Sequence, residues 1–423
     1  MEDYPAMEDP QVLDRMRADW NERASEDAYY YVAFGRREQG DDEFFATAAD
    51  LIKGLVADFK RLPGRDAALE IGCGPGRLMR PLSRYFGEIH GVDVSDAMIG
   101  LAKERLRDVP NAHPHHGSGS DLRLFPDTKF DFVYSYAVFQ HIPSRDVVFS
   151  YLREAWRVLK PGGILRCQLN GLPPHATRYD TWSGVRITPD EVRAFAREQG
   201  FQLLALEEIW TQYMWITCRK PDQNREGTGA VVIRSISNAL TGEAVAPASG
   251  PMAALSLWIA NFPPDADLIT TKVTADGREC RLVYIGHPAA DGITQVNLML
   301  PEGVRTGLVP IAMTGGASGW IRVIPPGPAV PRITGVTDGV NLLSANRVVS
   351  RTVKIAMRDV AHPEGFRAAV DGTPVEVESF CTDQTKQTYE FNFRLPDGVA
   401  PGAHHVELWL GRREFPPVAI EVL

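Results

Sequence analysis

The stretch that most constrains the fold is Ala67-Ala68-Leu69-Glu70-Ile71-Gly72-Cys73-Gly74-Pro75-Gly76-Arg77-Leu78-Met79. An apolar run too short for a helix leads into glycines at alternate positions, and an apolar-periodic segment with Leu78, Met79, Leu82, Tyr85 and Phe86 follows. The pattern predicts strand, tight loop and helix. Glycine admits positive φ and lets a ligand approach the backbone with no Cβ in the way. The helix that follows offers unpaired N–H groups, so the loop is a seat for a nucleotide-like ligand. Taken alone, the triplet is more often a plain βα turn.

The next strand sharpens the reading. Gly87-Glu88-Ile89-His90-Gly91-Val92-Asp93 ends in an acid about 20 residues beyond the loop, the spacing from a Gly-rich turn to a ribose-binding carboxylate in doubly wound sheets. The glycines run G-x-G-x-G, not the dinucleotide G-x-G-x-x-G. In this the chain resembles the class I S-adenosylmethionine-dependent methyltransferases. The resemblance rests on Leu69 to Gly76, on Gly91-Val92-Asp93-Val94-Ser95 with Met98, on Phe130-Asp131-Phe132-Val133-Tyr134-Ser135 as a fourth strand, and on Trp156-Arg157-Val158-Leu159-Lys160-Pro161-Gly162-Gly163 as the turn into a fifth. It covers roughly residues 10–220, about half the chain.

That resemblance implies an α/β Rossmann-like domain with a seven-stranded sheet and S-adenosyl-L-methionine as cofactor. The cofactor residues it implies are Glu70, Gly72, Cys73, Gly74, Gly76, Asp93, Val94, Met98, Ser118, Gly119 and Ser135. Glu70 would hold the methionine amino group directly or through water, Asp93 the ribose, and Val94 and Met98 the adenine faces; partly buried loop capping is the plain alternative for Glu70, and core packing for the other two. Many family members carry an acid where Ser118 stands, accepting from the adenine amino group. Here the contact is expected to be weaker, or to be taken over by Asp121 or a backbone carbonyl.

At 423 residues the chain has room for two or three domains, each with its own core. A net charge of −9 and the lack of a basic run argue against nucleic acid as partner. The acidic, apolar-poor start and the absence of an 18-residue apolar run argue against a signal peptide and a membrane span. Cys73, Cys167, Cys218, Cys280 and Cys381 are odd in number and scattered, which predicts reduced thiols and a cytoplasmic protein.

Residues 8–27 and 41–59 carry helical apolar stripes. In the resembled family, helices before the first strand form a lid over the cofactor. Trp20, Tyr30 and Arg36 are therefore candidate substrate contacts, with packing within the lid as the alternative. Ser95 is placed to cap a helix running to Arg107, and Thr188-Pro189-Asp190-Glu191 to cap another running to Gln199. Pro114 marks the third strand as an edge or an irregular strand. His113, His115 and His116 include alternate positions on one strand face, but nothing completes a metal site, and no metal is expected.

Ligands in doubly wound folds sit outside the carboxyl ends of the strands, so Tyr136, Gln140 and His141, just past the fourth strand, should border the site. Residues 171–184 form a long aromatic and charged loop that contributes His175, Tyr179 and Trp182. The N-P-P-Y signature of some DNA methyltransferases is absent.

The expected boundaries are 1–220 for the methyltransferase-like domain with its helical lid, 221–229 for a polar linker, and 230–326 and 327–423 for two β-sandwiches. Asp276-Gly277 and Asn297-x-x-Leu300-Pro301-Glu302-Gly303-Val304-x-x-Gly307 recur as Asp371-Gly372 and Asn392-x-x-Leu395-Pro396-Asp397-Gly398-Val399-x-x-Gly402, at a constant offset of 95 residues. A repeat of that length with several strands per unit indicates tandem sandwiches. They resemble the immunoglobulin-like domains of bacterial multidomain proteins, including those accompanying carbohydrate-acting enzymes. Trp258, Trp320 and Trp409 are expected in their cores, with stacking on sugars as the alternative. Oligomerisation or the positioning of a partner protein is an equal role for these domains.

Methyl transfer is an in-line displacement, so the protein supplies approach geometry and, for weak nucleophiles, a base. His141 is the first candidate base, since imidazole titrates near neutrality, and Tyr136 the second; a purely structural His141 is the alternative. The sequence therefore reads as a methyltransferase for a small-molecule or carbohydrate-type acceptor, most readily at oxygen. The competing readings are a non-catalytic cofactor-binding scaffold or glycan-binding protein, and a protein methyltransferase.

Overall fold

The computed structural model describes residues 10–33, 37–174, 179–222, 229–326, 330–339, 346–383 and 387–423. By their contacts, residues 1–22 and 50–327 form one unit, and residues 23–49 and 328–423 form another.

Helix α1 (Pro10–Ala33) contributes residues to both units and is kinked at Asp27, whose φ is −167° and ψ 85°. The kink has a local cause: the Asp27 carboxylate accepts from the N–H groups of Tyr30 at 3.0 Å and Glu38 at 2.9 Å, a capping role that pulls this residue out of the helix. The single helix expected over 41–59 is two, α2 (Asp41–Ala46) and α3 (Ala49–Ala57), followed by a 3₁₀ turn (Asp58–Arg61). Thr47 interrupts it, its hydroxyl donating back to the Phe44 carbonyl at 2.6 Å.

The first seven strands of the first unit are β1 (Ala67–Ile71), β2 (Glu88–Asp93), β3 (Ala112–His116), β4 (Phe130–Ser135), β5 (Leu159–Leu169), β6 (Gln202–Glu207) and β7 (Met214–Arg219). Their order is β3-β2-β1-β4-β5-β7-β6. The first five are parallel, and β7 runs antiparallel to both neighbours. Pro114 sits in β3, at one end of this order, where a missing donor is tolerated. The connecting helices are α4 (Met79–Leu82), α5 (Asp96–Arg105), α6 (Arg145–Val158) and α7 (Pro189–Gln199). Ser95 caps α5 by accepting from Met98 N–H at 3.0 Å, and Thr188 with Glu191 completes a capping box on α7.

The seven-stranded sheet expected here does not end at β6. Tyr284 pairs with Ala205, and the sheet continues through Arg281–Ile285, Ile293–Met299, Ala254–Ala260 and Val232–Asn238 to eleven strands. Residues 264–268 reinforce this seam: Asp267 accepts from Leu203 N–H at 3.2 Å, and Leu268 N–H donates to the Leu203 carbonyl at 2.9 Å. A second, five-stranded sheet carries Val309, Ile311, Ile321 and Val323, which share one apolar core with Leu257, Leu298 and the β6 residues Leu203 and Leu206.

The second unit contains a four-stranded and a five-stranded sheet. Ile355, Phe391 and Phe393 from the first meet Phe366, Val406 and Leu408 from the second in one core, with Phe366 and Phe391 stacked at 3.8 Å. Both Asp-Gly pairs of the repeat lie in the left-handed region, at φ 53° and 75° for Asp276 and Gly277 and 46° and 79° for Asp371 and Gly372, as tight hairpin turns require. The region beyond β7 is thus largely β, in several sheets. The tryptophans depart from expectation: Trp320 is 60% exposed and Trp258 37%, because each sits at an outward-facing strand position, while Trp409 is half-buried. Among the described residues no helix is long and apolar enough to cross a membrane.

Candidate active site

Strand order reverses between β1 and β4, and the crevice beyond their carboxyl ends is where doubly wound sheets bind ligands. The glycine loop leaves β1 at that point. Gly72, Gly74 and Gly76 all have positive φ, at 72°, 50° and 86°. At Gly72 a Cβ would lie 2.3 Å from the Val138 side chain, so Val138, three residues past the end of β4, closes directly over the loop. Ser135 adds a second tie, its hydroxyl donating to the Ile71 carbonyl at 2.8 Å. Cys73 is buried and packs with Met79 against Gly91, where no side chain would fit; burial holds its thiol well above the ordinary range.

Asp93 ends β2, and its carboxylate accepts from Gly74 N–H and Ser95 N–H, each at 2.9 Å. Burial raises its pKa against these two donors. Asn21 of α1 completes the corner: its side-chain oxygen accepts from the Ser95 hydroxyl at 2.6 Å, and its amide donates to Asp96 at 2.7 Å. Val94 is half-buried beside Gly119, whose φ is 91° and where a Cβ would meet Val94 at 2.7 Å. Met98 is fully buried. Ser118 is exposed, and its hydroxyl accepts from Ser120 N–H at 3.2 Å and Asp121 N–H at 3.0 Å, so it shapes its own loop.

Glu70 is buried on β1 and accepts from the Tyr134 hydroxyl at 2.9 Å. Burial pushes its pKa up to about 8, opposed by the Tyr134 hydrogen bond and by Arg77. Arg77 is itself buried, with its guanidinium 5.5 Å from the Tyr136 ring, and burial lowers its pKa. Tyr136 stacks on Trp215 at 5.9 Å.

Past β4, Ala137 adopts a left-handed φ of 56°, and its N–H donates to Gln168 at 3.3 Å. His141 is buried at the end of the following 3₁₀ turn, edge-on to Trp20 of α1 at 5.5 Å. The Gln140 side-chain oxygen is buried without a partner among the described residues. Residues 179–185 run alongside, with Gly184 N–H donating to the Gln140 carbonyl at 2.7 Å and Val185 N–H to that of Ile142 at 2.9 Å. Tyr179 packs half-buried against the core, whereas Trp182 is exposed.

Fourteen residues expected at the site, Trp20, Glu70, Gly72, Cys73, Gly74, Gly76, Asp93, Val94, Ser118, Gly119, Ser135, Tyr136, Gln140 and His141, thus lie on the strand ends and the loops at this edge of the sheet or on the α1 segment bonded to them. Tyr30 belongs to the other unit, with the Arg37 guanidinium 4.4 Å from its ring. Arg36 and His175 fall outside the described residues. Asn21, Arg77 and Gln168 were not foreseen. Arg77 stands next to the third glycine, yet nothing local distinguishes a buried arginine from a solvated one.

The imidazoles form a different arrangement from a metal site. His90 and His115 share a 3.0 Å hydrogen bond, His90 also reaches Glu88 at 3.1 Å, and among the described residues no group of three ligands is set to hold a metal ion.

A methyltransferase-domain family model matches residues 69–167. Phosphoethanolamine N-methyltransferase 2 of Caenorhabditis elegans is 30% identical over 154 residues, 36% of this chain and 31% of that one. Demethylmenaquinone methyltransferase of Staphylococcus saprophyticus is 34% identical over 103 residues, 24% of this chain and 42% of that one. The chain therefore spans less than half the length of these curated relatives. Among solved structures, a DhpI–SAH complex is 18% identical, with a TM-score of 0.38, covering 51% of this chain and all of that one (100%). The PH0226 protein from Pyrococcus horikoshii is 22% identical, with a TM-score of 0.37, covering 45% and 98%. S-adenosylmethionine is the cofactor of a domain of this kind, and the donor set fits it: a buried acid for an ammonium, a second acid for a ribose, and a loop with no Cβ where backbone must come close.

Proposed function

We propose that the chain is an S-adenosylmethionine-dependent methyltransferase acting on a small-molecule or carbohydrate-type acceptor at oxygen. One observation carries the reading: two acids, Glu70 and Asp93, flank a left-handed glycine loop at the point where strand order reverses. The cofactor, when bound, supplies an electrophilic methyl on a sulfonium. Glu70 receives the ammonium, Asp93 the ribose hydroxyls, and Gly72 to Gly76 give the backbone its close approach. Trp20, Tyr136, Gln140, Tyr179 and Trp182 orient the acceptor, and His141 takes its proton. The paired sheets are immunoglobulin-like accessory layers, and the five thiols suit the reducing cytoplasm.

Isothermal titration with S-adenosylmethionine and S-adenosylhomocysteine tests this. Binding at roughly micromolar Kd, lost in Asp93→Ala, supports the reading, and an acceptor screen beginning with sugars and phenols then identifies the nucleophile. Absence of binding by the intact protein overturns it.

A second reading, a glycan-binding protein, is favoured by the outward Trp320. Retention on polysaccharide gels that is lost in Trp320→Ala, without any cofactor binding, would select it.

A further inference from the structure

Between the β6 seam and the glycine loop runs an unbroken series of side-chain contacts, all within the first unit. At the seam, Arg61 is fully buried: it donates to the Ile285 carbonyl at 2.9 Å and lies 5.1 Å from the Tyr284 ring. Its partner Asp58, also buried, divides its carboxylate, one oxygen 3.1 Å from Arg61 and the other 3.3 Å from Arg166. Arg166 is held on its far side by Glu207 at 3.2 Å and lies 4.8 Å from the Trp215 ring. Trp215 stacks on Tyr136, and Tyr136 lies beneath Arg77, whose charge acts on Glu70.

We propose that Arg61 is a positioning residue for the cofactor site, and that the β-layers joined at Ile285 act through it as a working part of the enzyme. The inference rests on the cofactor-binding reading above. Burying a guanidinium is costly unless it is paired, and among the described residues Arg61 is held by its hydrogen bond to the Ile285 carbonyl and its ion pair with Asp58 while its Nε and Nη2 make no hydrogen bond, so its placement depends on those two partners together. Removing it leaves Asp58 buried with a single cation. Arg166 is then drawn toward Asp58 and off the Trp215 ring, and the stack that fixes Tyr136 and Arg77 loosens. Spatial continuity alone does not establish coupling, so the test is a double-mutant cycle.

Titration of the full chain with S-adenosylhomocysteine at 25 °C, well below the thermal midpoint, should give a Kd raised about fivefold to tenfold in Arg61→Met, with partial recovery in Arg61→Lys. In a Tyr136→Leu background, where the stack is already broken, Arg61→Met should change Kd by less than about twofold. An unchanged Kd in Arg61→Met with a lowered midpoint would make Arg61 merely structural and overturn the proposal, as would equal effects in both backgrounds. If Arg61→Met does not fold, Tyr284→Leu, which removes the ring at the other end, takes its place under the same criteria. Failure of the wild type to bind would instead overturn the cofactor reading and this inference with it.

Discussion

The Tyr134 hydroxyl donates to Glu70 at 2.9 Å in a fully buried pair, and this keeps an acid inside the sheet beside the glycine loop. Burial raises the Glu70 pKa to about 8, so in the cofactor-free protein it is protonated at neutral pH, whereas in the unfolded chain it titrates near 4.5. Between those values the unfolded state holds fewer protons, and stability falls as pH rises from about 4.5 to about 8. Glu70→Gln should flatten that slope, which is worth a few kcal/mol, in thermal melts across the window. An ammonium placed beside Glu70 favours the carboxylate, so S-adenosylhomocysteine binding at pH 7 should release roughly one proton, read as a buffer-dependent enthalpy absent in Glu70→Gln.

Gly72 combines a φ of 72° with contact to Val138, so Gly72→Ala meets both backbone strain and a clash. It should cost about 2–4 kcal/mol in urea unfolding and abolish cofactor binding. Gly200 has a similar φ of 80° at the end of α7 with open space around it. Gly200→Ala should cost only about 1 kcal/mol and leave binding intact.

Asn21 ties α1 to the Ser95 cap and to Asp96. Asn21→Ala should lower stability by about 1–2 kcal/mol and raise the S-adenosylhomocysteine Kd severalfold, because the Ser95 hydroxyl loses its acceptor beside Asp93. Equal affinity in both proteins would show that the Asn21 tie contributes nothing to cofactor binding.

His90 is enclosed by Phe125 and Phe130, and burial lowers its pKa to about 4 from an ordinary 6.5. As pH falls from about 6.5 to about 4, the unfolded chain gains a proton that the native state refuses, and stability is lost over that window. His90→Leu should remove up to about 3 kcal/mol of this acid sensitivity, measured by chemical denaturation at pH 4.5 and 7.

Much of the site was legible from local chemistry. The glycines foretell left-handed backbone because only they adopt it freely, and Asp93 follows at the ribose spacing. Ser95 and Thr188 announce helix starts through hydroxyls that reach three residues ahead, and the repeated Asp-Gly pairs announce hairpins. Each signal lies within a few residues of the structure it specifies. The helical stripe read over 8–27 ends where the Asp27 kink falls, but the break at Thr47 escaped because a side chain competing with the helix for backbone groups looks, in sequence, like any polar residue.

The succession of strands and helices, the glycine loop with its two acids, and a β-rich second half with a 95-residue repeat are all written in residues close together along the chain. That β6 is not an edge, that residues 23–49 belong with 328–423, and that Arg61, Arg77 and Asn21 are engaged rather than solvated emerges from long-range packing alone. The reason is range. Turns and caps are set by groups adjacent in the chain, whereas the placement of Arg61 depends on Ile285, 224 residues away, and on burial that no local pattern encodes.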